Sequence, residues 1–286
     1  MNFISLFSSF NYTGIAILSS FFGAIATILA RTLLKDIKAR DIMGINFLVM
    51  GAALVLIAPI FYHFDASFLS MGLVILIAII DTAANYFFFK TFEKTEASVA
   101  APLLSLAPGF TFLSSWAFLQ EKVSPLTYVI ATGILVSIII FTYDFKQGHQ
   151  FKLDTLKPAI LSSILFGLSA IPSKYLLSNL HAINAPTLYM MRAGFIALFS
   201  LLFFNFSINQ LTQRQFRIIF VRGLVVIAQW ILLYLAITKG STGVSVTLAN
   251  ITPIFVFILG MIFLKEKMSL KKFTAAGLIL LLSFLI

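Results

Sequence analysis

The chain has 286 residues, of which 60% are hydrophobic and only 10% charged, against the roughly 25% charged residues of a water-soluble domain. That composition excludes a soluble globular surface, and the absence of cysteine excludes disulfides, thiolate metal centres and cysteine nucleophiles. The net charge of +10 would suggest nucleic acid in a soluble protein. Here Lys and Arg gather between apolar runs, where they read as topology signals and lipid-headgroup contacts.

Apolar runs of spanning length lie near residues 12–30, 42–62, 67–89, 97–119, 126–143, 158–180, 186–207, 217–238, 242–264 and 272–286. A crossing takes about 20 apolar residues, so ten spans consume roughly 200 and leave short connections. Backbone amides in lipid must be satisfied within their own segment, which makes these spans helices and the fold all-α and membrane-embedded. Met1 to Asn11 carries no positive stretch and no cleavage site follows, so the first run is read as span 1.

An internal repeat organises the ten spans. Shifted by 145, Lys94–Ser124 falls on Lys239–Ser269 with eleven of 31 positions identical, among them Pro108/Pro253, Glu121/Glu266 and Lys122/Lys267. Shifted by 143, Ala16–Ser20 recurs at Ala159–Ser163, and Leu33 and Leu34 match Leu176 and Leu177. The expected units are 1–145 and 146–286, five spans each. Five is odd, so the second unit must enter the membrane from the opposite side.

The charges test that inversion, because equivalent loops should then differ in basic content. The loop after span 1 has Arg31, Lys35, Lys38 and Arg40, and its counterpart after span 6 only His181. The loop after span 2 has no Lys or Arg, while that after span 7 is flanked by Arg214, Arg217 and Arg222. Lys122 stands alone after span 4, against Lys265, Lys267, Lys271 and Lys272 after span 9. Basic loops follow odd spans, which predicts both termini outside the cytoplasm.

Polar groups deep in spans are the candidates for function, since they are costly in lipid and face a cavity or a partner. Asp81 is the only carboxylate far inside a span. It reads as a cation ligand or proton carrier, or else as a structural carboxylate bonded to neighbouring helices. Asn85 shares its face one turn later. The 145 shift sets Asp81 against Val226 and Asn85 against Trp230, with Tyr234 opposite Phe89. A carboxylate facing aromatic rings suits an amine through charge and cation–π attraction. Arg192 in span 7, equivalent to Asn46 under a shift of 146, could hold a carboxylate or phosphate or brace its helix. Helix rise puts it roughly 10 Å from the depth of Asp81, which argues against an ion pair. Lys174 is expected to snorkel.

Pro108 and Pro253 interrupt spans 4 and 9 at equivalent points, a candidate hinge, and would free the carbonyls of Leu104 and Ala249 beside Ser105 and Asn250. The FLQEK and FLKEK segments read as interfacial helix ends with an exposed Glu. His63, His149 and His181 fall at connections and predict no metal site.

With two five-span halves, a proline followed by Phe118–Lys122 and Phe263–Lys267, and Arg192 in span 7, the chain resembles the ten-helix EamA-type family of the drug/metabolite transporter superfamily. The resemblance covers nearly the whole chain and implies a central cavity between inverted halves and passage of metabolites. Asn46 stands where the family's second helix often has arginine, which counts against an anion site in the first half.

The expectation is a secondary transporter of the cytoplasmic (inner) membrane, not an enzyme, working by alternating access on a small polar metabolite. An amine or amino-acid-like solute is the first choice, held by Asp81, Asn85, Trp230, Tyr234 and Asn250. An anionic nucleotide or sugar phosphate on Arg192 is the alternative, and a membrane-embedded enzyme acting on a lipid-linked substrate the alternative of another class. The expected partners are this solute and membrane lipids, with no nucleic acid and no cofactor beyond a coupling proton. Asp81→Asn is expected to abolish coupled transport and leave folding intact.

Overall fold

The computed structural model describes residues 10–94, 104, 106–122, 124–142, 153–204 and 211–264, with Thr274 and Leu281. It is helical throughout: α1 (Tyr12–Leu33), α2 (Ala39–Phe61), α3 (Phe68–Lys94), α4 (Ala107–Leu119), α5 (Pro125–Thr142), α6 (Leu153–Lys174), α7 (Ala185–Phe203), α8 (Gln213–Lys239), α9 (Thr242–Ala249) and α10 (Thr252–Leu264). A turn of π-helix, Tyr175–Asn179, extends α6. Seven helical stretches among the described residues are long and apolar enough to cross a membrane, the last being Thr242–Phe263, which joins α9 and α10. Span 10 lies almost wholly outside the described residues, as do His149, Ser105 and the start of span 4.

Local sequence sets several helix starts. Thr212 and Gln215 close a reciprocal capping box at α8. Asn184 accepts from the Thr187 backbone N–H ahead of Pro186 in the first turn of α7. Pro108 and Pro253 also fall in first turns, of α4 and α10, rather than mid-helix. Span 9 therefore breaks at Asn250–Ile251 into two helices. The proline, having no N–H to give, occupies a position where none is needed.

The packing is polar inside and apolar outside. Leu56, Ile60, Phe68, Trp116 and Phe203 are exposed as a lipid-facing surface requires, while Ser19, Ser20, Asn46, Asp81, Asn85, Arg192 and Arg222 are buried. The main contacts are α1 with α8, α3 with α6, α2 with α7, α4 with α6 and α1 with α9 and α10. Each joins one repeat to the other.

Hydrogen bonds repeat with the sequence. Ser19 Oγ donates to the Gln229 carbonyl at 2.7 Å and Ser162 Oγ to the Ala84 carbonyl at 3.0 Å, pairs related by shifts of 143 and 145. Arg31 Nη1 donates to the Phe92 carbonyl at 2.8 Å and Lys174 Nζ to the Ile237 carbonyl at 2.7 Å, related by the same shifts. At the crossing of α2 and α7, a Cβ on Gly51 would lie 3.5 Å from the backbone nitrogen of Gly194. Small residues there let the two backbones approach.

Candidate functional site

Asp81 of α3 and Arg192 of α7 form an ion pair, Oδ2 to Nε, with both side chains fully buried. This corrects the depth argument. The α2–α3 connection is strapped to the start of α7, with Asp65 N–H donating to the Ala182 carbonyl and Asn184 Nδ2 to the Phe61 carbonyl. Phe68 and Leu69 at the start of α3 are exposed, whereas Ala185 and Pro186 at the start of α7 are buried. The ion pair brings Asp81 and Arg192 together despite their different distances along their helices, with the long arginine side chain spanning the offset.

Aromatic rings enclose this pair. The Arg192 guanidinium carbon lies 3.7 Å from the Trp230 ring centroid and 5.6 Å from that of Tyr189, and Nη1 donates to the Tyr234 hydroxyl at 3.3 Å. Tyr189 and Trp230 stack nearly parallel, and Tyr234 leans on both. The carboxylate-and-ring arrangement read from the sequence is real, but the cation it holds here is the protein's own.

Beside this cage lies a cavity of about 140 Å³, walled by α1, α2, α3, α6, α8 and the α9–α10 break. Asn85, Trp230, Tyr234 and Asn250 line it, as do Asn46, Arg222 and Gln229, whereas Asp81 and Arg192 do not. Asn85 donates to the Asp81 backbone carbonyl at 2.8 Å, and Asn250 to that of Val246 at 2.8 Å. The carbonyls of Leu104 and Ala249 accept from Ser163 Oγ at 3.0 Å and Thr252 Oγ1 at 2.9 Å. They are therefore occupied by the protein.

Arg222 is the residue that sequence reasoning missed. Grouped with Arg214 and Arg217 it reads as a loop flank, yet α8 begins at Gln213, which puts Arg222 nine residues, or roughly 14 Å, inside. It is 4% exposed, while Arg214 and Arg217 are exposed. Nε donates to the Ala26 carbonyl at 3.2 Å and Nη1 to Asn46 Oδ1 at 2.7 Å, and the guanidinium lies over Phe89. The available signal was its position between the apolar runs Ile218–Val221 and Gly223–Ala228, in phase with the buried Ile219 and Val226.

One end of the cavity is tied between repeats. Glu121, just past α4, accepts from Thr242 N–H at 3.0 Å, Thr242 Oγ1 at 2.6 Å and Ser241 Oγ at 3.1 Å, capping α9. It is a bonded carboxylate rather than the exposed interfacial Glu expected. Lys174 Nζ donates to the carbonyls of Ile237 and Gly240 at 2.7 and 2.9 Å, closing the end of α8 instead of snorkelling to lipid.

A polytopic helical bundle with a polar cavity between two repeats defines a membrane transport protein by class. The model of the EamA-like transporter family matches residues 12–143 and again 158–286, and the chain belongs to that family. It is a multi-pass membrane protein of the drug/metabolite transporter type, built from two EamA repeats. One similar crystal structure, described only as that of a protein, shares 14% identity with a TM-score of 0.72, covering 95% of this chain and 93% of the other. That likeness concerns the fold alone. No curated protein matches the chain in sequence.

Proposed function

We propose that this protein is a secondary transporter that moves a small polar metabolite across the cytoplasmic membrane by alternating access, with the central cavity as the solute's site. The observation that carries this reading is the cavity itself, bounded by both repeats and tied at one end by Glu121 across the repeats and by Lys174 within the second repeat. The units are 1–145 and 146–286, inverted relative to each other, with both termini outside. The matching bonds Ser19 to Gln229 and Ser162 to Ala84, and Arg31 to Phe92 and Lys174 to Ile237, support that pseudo-symmetry. Pro108 and Pro253, at the start of α4 and α10, serve as the hinges.

The amine reading loses support, because Asp81 and the Trp230 face are already engaged by Arg192. Asp81 instead suits a coupling role. Protonating it would release Arg192 and loosen a bond between repeats.

The test uses the natural absence of cysteine. Thr27→Cys and Leu233→Cys place single thiols on the cavity wall. In reconstituted vesicles, membrane-impermeant thiol reagents should reach them from opposite faces, at rates that a transported solute shifts in opposite directions. Labelling of both thiols from one face only, under every condition, would overturn alternating access.

A further inference from the structure

Arg222 is a buried cation whose charge the protein leaves open. Two of its nitrogens are spent on the Ala26 carbonyl and Asn46 Oδ1, which fixes the plane of the guanidinium. Among the described residues no carboxylate pairs with it, and Nη2 has no hydrogen-bond partner. Arg222 lines the cavity together with the amides of Asn46, Asn85, Gln229 and Asn250. A guanidinium taken out of water without a counter-ion is costly until an anion completes it, and its planar donor edge matches a carboxylate.

We propose that Arg222 binds the carboxylate of the transported solute and that the cavity takes small monocarboxylates in preference to amines, zwitterions and phosphates. This deepens the reading of the cavity as the solute's site and rests on it. One cation neutralises one negative charge, so a phosphate dianion would bring a second, unanswered charge into a site walled mostly by apolar surface. Among the described residues no acidic side chain lines the cavity, and Asp81 is committed to Arg192, so the ammonium of a zwitterion finds no counter-charge there. The amides, which both donate and accept, suit a hydroxyl or oxo group on the solute body. A volume of about 140 Å³ is close to that of a cavity known to take benzene, which limits the body to roughly one ring.

Benzoate and benzamide, alike in shape and different in charge, are the probes. In thermal-shift titrations of the purified full-length protein, benzoate should raise the unfolding midpoint saturably, and benzamide, benzylamine and inorganic phosphate should do so weakly or not at all. Arg222→Gln should weaken benzoate roughly ten- to a hundredfold, the range for losing one charge-assisted contact, and leave benzamide unchanged. Should Arg222→Gln fail to fold, Asn46→Asp supplies an internal counter-ion to Arg222 and should abolish the benzoate shift in a folded protein. Absence of any benzoate shift, benzoate no better than benzamide, or benzoate affinity untouched by both variants overturns the proposal. So does a phosphate or benzylamine shift larger than that of benzoate.

Vesicle flux separates this inference from the transport reading. Benzoate bound through Arg222 but never carried across sinks transport and leaves the site. Flux that is indifferent to Arg222→Gln sinks the site and leaves transport.

Discussion

Two buried arginines of the second repeat stand at repeat-related interfaces, α7 against α3 and α8 against α2, and are treated in opposite ways. On α7, Arg192 is matched by the Asp81 carboxylate of α3 and wrapped by Trp230, Tyr189 and Tyr234, away from the cavity. On α8, Arg222 is met by the amide of Asn46 on α2, the repeat counterpart of Arg192, and faces the cavity. The geometry is the same motif, a guanidinium bridging helices of different repeats. The charge differs: the first site is closed and neutral, the second is left with one positive charge beside open space. Duplication supplies two copies of a scaffold, and divergence on both helices, with Asn46 opposite Arg192, Val226 opposite Asp81 and Arg222 opposite Ile77, leaves a candidate binding site where the other copy has a closed ion pair.

The largest effect expected from breaking this contrast is at the closed site. Removing one partner of a buried ion pair strands the other, at about 3–5 kcal/mol. Asp81→Asn should therefore lower stability by that order in thermal or denaturant unfolding, contrary to the expectation that folding survives intact. Asp81→Asn with Arg192→Gln should recover most of the loss. If the single variant is as stable as the parent, Asp81 is not the counter-ion of Arg192, and the two sites do not differ as described.

Glu121 is an intermediate case, a carboxylate satisfied by neutral donors. Hydrogen bonds to a charged group contribute about 1.5–3 kcal/mol, here spent on joining the end of α4 to the start of α9. Glu121→Gln should open that end, raising thiol labelling of Val246→Cys from that side by about tenfold or more. An unchanged labelling rate would make the contact incidental to gating.

These three charges also mark where sequence reading succeeded and where it did not. The repeat, the helical class and the buried polar character of Asp81, Asn85 and Arg192 follow from periodicity and the cost of polar groups in lipid. The pairing of Asp81 with Arg192 was not legible. It depends on how α3 and α7 sit against each other, held at one end by the bond from Asp65 to Ala182, which a count of residues along each helix does not give. Arg222 was hidden for a related reason, because a topology rule that counts basic residues near span ends does not ask which face each occupies. Glu121 matched a recurring segment whose meaning lies in its partner, Thr242, 121 residues away. Local patterns report burial well, and the identity of a partner across the bundle poorly.

Arg222→Gln sharpens the contrast from the open side. It gives up two hydrogen bonds but also relieves an uncompensated charge, so its stability cost should be about 1–2 kcal/mol, below that of Asp81→Asn. The comparison is made in parallel unfolding experiments without ligand. Equal costs at the two sites would make Arg222 a brace like Arg192.

The smallest effect tests the symmetry on which the comparison depends. Ser19 and Ser162 are repeat counterparts, each donating across the interface to an equivalent carbonyl, of Gln229 and Ala84. Both side chains are fully buried. Ser19→Ala and Ser162→Ala should each cost about 1 kcal/mol, and the double variant about the sum, because the two bonds lie on different helix pairs and share no partner. A marked inequality would mean that the interfaces α1–α8 and α6–α3 are not energetically equivalent. The divergence between halves would then extend beyond Asn46 into the packing, and the charge left at Arg222 would be one of several differences between the repeats.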